Sequence, residues 1–260
     1  MVSGKAVRLS RITCGGKMLC VPMDHSFTLG PIRGLESPEE TVREVCEGGA
    51  TAVLMHKGTA MRLRSVYPLG MIIHLNGSTS IGPSPDRKVR ITSVEEALRL
   101  GADAVSVHVN IGSRDEPEML SLLGETADTC DQYQIPLIAM MYPRGELIKE
   151  PVSPDVVAHA ARVGSEAGAD IVKTVYTGST ETFREVVRKS LAPVVLAGGP
   201  KVGSDVELLR LARSAMDAGA MGVTFGRNIF QHESPRRIVR LLRRIVIDGM
   251  GVEQVLEEPV

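Results

Sequence analysis

The stretch VEEALRLGADAVSVHVN, residues 94–110, decides the fold. Its first half spaces apolar residues as a helix does and ends at Gly101, where a helix C-terminus favours a left-handed residue. Its second half is apolar on both faces, as a strand buried in a parallel sheet is. The same helix–glycine–strand unit returns in TVREVCEGGATAVLMHKG (41–58), HAARVGSEAGADIVKTVYTG (159–178) and RSAMDAGAMGVTFGRN (213–228). Further strand candidates fill the gaps: MLCVPMDH (18–25), GMIIHLNG (70–77), PLIAMMYPRG (136–145) and PVVLAGGP (193–200). Helix starts are marked by Ser37 before Pro38, by Ser93 with Glu96 three residues on, and by Ser153 before Pro154.

Eight strands alternating with helices predict an α/β protein, a (β/α)8 TIM barrel forming a single domain over residues 1–260. Such a barrel takes about 250 residues, nearly the whole chain. The segment before Met18 is then a short N-terminal extension capping the barrel. A doubly wound open sheet is the competing architecture, but no GxGxxG follows the first strand, which weakens its nucleotide-binding form. STSIGPSPDRK (78–88), rich in Ser, Pro and Gly, reads as a loop.

Composition narrows the function. The chain has 260 residues, 43% hydrophobic and 23% charged, with a formal net charge of -1. That is ordinary globular composition, and nothing in the bulk charge favours a nucleic acid or a membrane. No apolar run is long enough to span a bilayer, and the first residues lack the apolar core of a secretory signal. Cys14, Cys20, Cys46 and Cys130 are scattered without a CxxC pair, as in a cytoplasmic protein with reduced thiols. Trp is absent and aromatics make up 3%, which favours a small-molecule site over a stacking surface.

In a barrel, catalytic side chains come from the C-terminal ends of different strands. Asp24 and His25 end the first strand, His56 and Lys57 the second. His74 lies in the third, and His108 and Asn110 lie in the fourth. Tyr142 and Arg144 end the fifth, Lys173 lies inside the sixth, and Gly198–Gly199 and Gly226–Arg227 end the last two. Lys173 stands out among Ile171, Val172 and Val175. A buried ammonium must find a partner or lose its proton, and a desolvated lysine of lowered pKa is the nucleophile of Schiff-base enzymes. A structural ion pair with a carboxylate such as Asp24 is the other reading. Tyr142 and Asp24 are placed to move the protons that carbinolamine dehydration and carbon–carbon bond formation require. Gly198, Gly199, Gly226 and Arg227 offer close main-chain approach and a guanidinium, which suits a phosphate; tight turns alone are the alternative. His74 and His108 read as core histidines bonded to neighbours. No HExxH, HxH or paired-carboxylate spacing supports zinc.

Across nearly its whole length the chain resembles the archaeal-type class I aldolases of the fructose-bisphosphate aldolase and DeoC/LacD superfamily. The likeness is carried by VPMDHSFTLGPIRGL, VLMHKG, IIHLNGST, VEEALRLGADAVSVHVNIGS, PLIAMMYPRG, ADIVKTVYTG, LAGGPK and GRNIFQ. Within it, the 2-amino-3,7-dideoxy-D-threo-hept-6-ulosonate synthase branch is the most similar. The resemblance implies that Lys173 forms the imine, that Tyr142 moves protons and that Asp24 assists. It also implies that Gly198, Gly199, Gly226 and Arg227 hold the sugar phosphate; His25 and Arg144, at their strand ends, are candidates to contact the acceptor or support Asp24. It implies no metal or organic cofactor, since the iminium is the electron sink. The substrates implied are a ketose phosphate and L-aspartate 4-semialdehyde, and the assembly a cytoplasmic homo-oligomer such as a ring of ten. In that branch glycine commonly follows the DH pair, whereas Ser26 stands here. A serine there resembles the related aldolase of 3-amino-4-hydroxybenzoate biosynthesis, which joins dihydroxyacetone phosphate to the same aldehyde. A fructose-bisphosphate aldolase and a non-catalytic sugar-phosphate-binding barrel are the competing functions.

Overall fold

The structure is a computed structural model that describes residues 3–257. Eight parallel strands close into a barrel in chain order: β1 (Met18–Pro22), β2 (Ala52–Met55), β3 (Gly70–His74), β4 (Ala104–Ile111), β5 (Leu137–Pro143), β6 (Ile171–Thr174), β7 (Val194–Ala197) and β8 (Gly222–Thr224), with β8 pairing back onto β1. This is the TIM barrel the sequence predicts. Two short antiparallel strands, Asn76–Gly77 and Val89–Arg90, frame the segment expected to be a loop. Among the described residues no helix is long and apolar enough to cross a membrane.

The recurring glycines explain how the chain turns from helix to strand. Gly49, Gly101, Gly168 and Gly219 all have φ between 85° and 95°. In each unit the alanine after the glycine donates its N–H to the carbonyl five residues back: Ala50 to Val45, Ala102 to Ala97, Ala169 to Gly164 and Ala220 to Ala215. That is the Schellman closure, and it satisfies carbonyls a helix end otherwise leaves open. A fifth copy uses Gln134, at φ 53°, with Ile135 bonded back to Cys130. The Gly-Ala pattern does not reveal that copy. Helix starts follow the sequence less evenly. Ser93 accepts from the Glu96 amide at 3.2 Å, but Ser37 and Ser153 make no side-chain cap bond and leave Pro38 and Pro154 to open their helices.

Alternation along the strands divides the core in two. Met18, Cys20, Ala52, Leu54, Ile72, Ala104, Ile138, Met140, Ile171 and Val195 fill the barrel lumen. Their strand neighbours, including Leu19, Val53, Ile73, Val105, Ala139, Val172 and Leu196, pack outward against the helices. The helix Gly4–Ile12 closes the N-terminal mouth. Ile12 is buried in the lumen cluster, and Lys5, Arg8 and Arg11 bond Asp170, the Ala102 carbonyl and Asp103. Asp103 and Asp170 also accept from the Met71 and Leu137 amides, tying neighbouring strand starts together. The N-terminal extension therefore caps the barrel, and the opposite mouth is left for chemistry.

Gly101 tests the backbone argument without a packing effect, because a methyl group there meets nothing nearer than Met71 Cε at 3.9 Å. Gly101→Ala is expected to cost about 1–2 kcal/mol through the left-handed conformation alone. Urea unfolding measures this, and an unchanged midpoint would remove the glycine's conformational role.

Candidate active site

A period of two decides which side chains reach the open mouth. Ile171 faces the lumen, so Lys173 does too, and the two flanking positions face the helices. The same step carries Met140 to Tyr142, Leu54 to His56, Ile72 to His74, Thr224 to Gly226 and Pro22 to Asp24. In register, Lys173 sits between Met140 of β5 and Val195 of β7. The result is a cavity of about 330 Å³ at the C-terminal mouth. Lys173, Tyr142, Asp24, His25, Arg144, Gly198, Gly199, Gly226 and Arg227 all line it. Its wall also holds His56, His74, Asn76, Lys88 and His108, none of which the sequence assigns to the site.

Lys173 is 5% exposed. Burial pulls its pKa down, but the Tyr142 oxygen, the Asp24 carboxylate and the Cys20 sulfur push it up by more, so the net shift is upward. This corrects the expectation of a lowered value: desolvation acts as expected, yet the groups around the amine favour the ammonium. Asp24 carries the opposing charge. Burial raises its pKa, and electrostatic coupling to His25, His74, Lys173 and His56 lowers it to well below the usual carboxylate range. Asp24 Oδ1 is buried without a hydrogen bond and lies 3.5 Å from His25 Nδ1. Asp24 and Lys173 are thus coupled through space and not joined as a contact ion pair.

Tyr142 is held between two neighbours. The His108 ring lies 4.8 Å away, centroid to centroid, and the Arg144 guanidinium carbon lies 5.6 Å from its ring centre. Burial is the largest influence on His25, His56, His74 and His108 and lowers the pKa of each, that of His74 to about 3. These rings are therefore neutral at pH 7. His74 and His108 are bonded as expected, to Ser106 Oγ and Asn110 Oδ1 at 2.7 Å each, but both also face the cavity.

The β7–β8 rim is built differently. Gly198 spends its amide on the Thr224 carbonyl at 3.2 Å, and a Cβ there would lie 2.8 Å from Phe225. Gly199 has φ 61° with open space before it. Gly226 is demanded by packing, since a Cβ would lie 2.6 Å from the His25 ring. Arg227 reaches across to the Gly199 carbonyl at 2.9 Å, and its Nε is buried without a partner. Ser26 does not line the cavity, and its hydroxyl is likewise buried and unbonded. Among the described residues no three His, Cys, Asp or Glu side chains are disposed to hold a metal ion.

Comparison with known proteins identifies the family. Residues 18–232 match the model of the DeoC/LacD family aldolases. The 2-amino-3,7-dideoxy-D-threo-hept-6-ulosonate synthase of Halobacterium salinarum is 44% identical over 98% of this chain and 96% of its own length. The 2-amino-4,5-dihydroxy-6-oxo-7-(phosphonooxy)heptanoate synthase of Streptomyces griseus is 42% identical over 84% of this chain and 81% of its own. An archaeal fructose-1,6-bisphosphate aldolase, solved with its catalytic Lys covalently bound to the carbinolamine intermediate, superposes with a TM-score of 0.87 at 30% identity, over 93% of this chain and 99% of that one. The chain belongs to the DeoC/LacD aldolase family.

The buried histidines set a pH dependence. His74 falls from 6.5 when unfolded to about 3 when folded. The unfolded state therefore binds the proton first, and stability is lost as pH falls from 6.5 toward 3, at no more than about 1.4 kcal/mol per pH unit for one group. Urea titrations across that range are expected to show a shallower slope for His74→Gln than for the wild type. Equal slopes would remove His74 from the account.

Proposed function

We propose that this member of the DeoC/LacD aldolases is a Schiff-base, class I aldolase or transaldolase that joins a ketose-phosphate-derived enamine to L-aspartate 4-semialdehyde. The observation that carries this is the buried amine of Lys173 on the lumen face. It is flanked by Tyr142 on the next strand and faces Asp24, the one carboxylate lining the cavity among the described residues.

In this scheme Lys173, once it has given up a proton, attacks the ketone carbon. Tyr142 supplies the proton with which the carbinolamine hydroxyl leaves as water, giving the iminium. The carbon–carbon bond beyond the adjacent carbon then breaks, its electrons flow into the iminium, and Asp24 accepts the proton of the hydroxyl that becomes a carbonyl. The enamine that remains adds to the acceptor aldehyde, the new alkoxide takes a proton back, and water releases the product from Lys173. Gly199, Gly226 and Arg227 hold the donor's phosphate, with Gly198 shaping the turn. Arg144 and His25 sit where they meet the acceptor or steady Asp24.

The acceptor follows from the products in the relatives' names. A seven-carbon 2-amino acid with hydroxyls at C4 and C5 and a carbonyl at C6 divides, by reverse aldol chemistry, into a four-carbon amino-acid aldehyde and a three-carbon enamine. The Streptomyces product keeps a phosphonooxy group at C7 and the Halobacterium product is deoxy there. The donor of this chain is one of those two kinds. The likeness to fructose-1,6-bisphosphate aldolase supports a second reading, in which the acceptor is a phosphorylated aldehyde. Turnover with each acceptor separates the two.

Borohydride reduction in the presence of ketose phosphates, followed by peptide mass mapping, is expected to place one covalent adduct on Lys173 and none in Lys173→Met. An adduct on another lysine, or none with any ketose phosphate, overturns the proposal. Because the Lys173 pKa is raised, the trapping rate is expected to climb with pH through the neutral range. Tyr142→Phe is expected to lower kcat about 10²–10⁴-fold.

A further inference from the structure

The mouth of the barrel holds more positive charge than Schiff-base chemistry uses. Lys88, Arg144, Lys173 and Arg227 line the cavity against Asp24 alone among the carboxylates of the described residues. Lys173 answers to Asp24, and Arg227 belongs to the β7–β8 rim. Lys88 is left over, and it lies elsewhere, near the Arg144 that meets the acceptor. Lys88 ends the loop between β3 and β4, which in the ring of eight strands stands across the mouth from β7–β8, and Arg144 follows β5, between the two.

Lys88 is 8% exposed, an expensive setting for an ammonium without an anion. It donates to Ser78 Oγ and the Pro85 carbonyl, both neutral, and has a third N–H to give. Among the described residues no carboxylate is in contact with it. Burial and the nearby Arg144 lower its pKa, while Asp86 and Asp24 oppose them from farther off. The loop is held firmly enough to aim it. Asn76 and His108 exchange side-chain and main-chain bonds at 2.9 Å, Asn110 donates to the Asp86 carbonyl at 2.8 Å, and Arg87 pairs with Glu118 at 2.8 Å.

We propose that Lys88 and Arg144 form an anion subsite that binds the carboxylate of the acceptor aldehyde, on the β3–β5 side of the cavity, away from the phosphate-binding rim. This rests on the aldolase reading above. A fixed ammonium beside a guanidinium fork matches the two oxygens of a carboxylate. Held there, an amino-acid aldehyde extends its carbonyl inward toward the enamine on Lys173, and a phosphate on the enamine, where the donor keeps one, occupies the β7–β8 rim.

The test compares two aldehydes of equal length in the full-length enzyme loaded with a ketose phosphate: L-aspartate 4-semialdehyde and a neutral aldehyde such as butanal. In Lys88→Met the ratio of kcat/KM for the carboxylated over the neutral aldehyde is expected to fall about 30-fold, as loss of a charged hydrogen bond implies. Lys88→Arg is expected to restore most of it. An unmoved ratio, or an equal loss for both aldehydes, overturns the subsite. A selective loss with glyceraldehyde 3-phosphate and none with aspartate semialdehyde overturns the carboxylate assignment. Borohydride trapping of the same variants keeps the two proposals apart: absence of any adduct in the wild type defeats the aldolase reading, whereas trapping with an unmoved ratio defeats the subsite alone.

Discussion

A side chain in a closed parallel barrel has two destinations, the lumen or the helical layer, and the period of two assigns them without exception along a strand. Each step of two from the packed lumen residues adds a layer toward the open mouth. There the apolar layers built on Ile171, Met140, Ile72 and Leu54 give way to Lys173, Tyr142, His74 and His56. The catalytic set is therefore the last layer of the core. Its rigidity is that of the core, and its groups are as poorly solvated as core residues are. Poor solvation displaces the pKa values of the four histidines downward, and the crowding of groups in one layer displaces that of Lys173 upward and that of Asp24 downward against it.

Much of this was legible in the chain. The helix–glycine–strand units showed themselves because left-handed residues at helix ends are chemically costly for anything but glycine, and four of the five turns use it. Gln134 hid the fifth. Lys173 was legible because its neighbours are apolar, and Tyr142 and Asp24 because they end strands. Lys88 was not, since a lysine in a Ser-Pro-Gly stretch looks solvated. Only the pairing of Asn76–Gly77 with Val89–Arg90 and the Asn76–His108 bonds fold that stretch over the mouth and bury the ammonium. The length of the connection between β3 and β4 was a weak signal, since long loops in barrels tend to be functional. The direction of the Lys173 shift was also out of reach, because it depends on how closely Tyr142, Asp24 and Cys20 crowd one amine.

The two ends of the barrel divide the work. At the closed end, Asp103 and Asp170 each bond both the N-terminal helix and an adjacent strand, so the charged groups there are neutralised within the chain. In the cavity at the open end, cations outnumber Asp24, the one lining carboxylate among the described residues, and Arg227 Nε and Asp24 Oδ1 are left without hydrogen bonds. Unsatisfied polar atoms of this kind lower stability, and these two lie at the end where a bound substrate would supply the missing partners.

The five Schellman turns have a further meaning for how such a protein changes over time. They fix the direction in which each helix hands over to its strand, all at the closed end and by one backbone device. The connections at the other end are freed from that duty. The segment from Asn76 to Arg90 is accordingly closed by its own two-stranded ladder and bonded to β4 by side chains at Asn76 and Asn110, with no part in setting the strand register beneath it. Lineages built on this scaffold can thus retain one lysine-centred chemistry and renew their choice of partner molecule by editing a single surface connection.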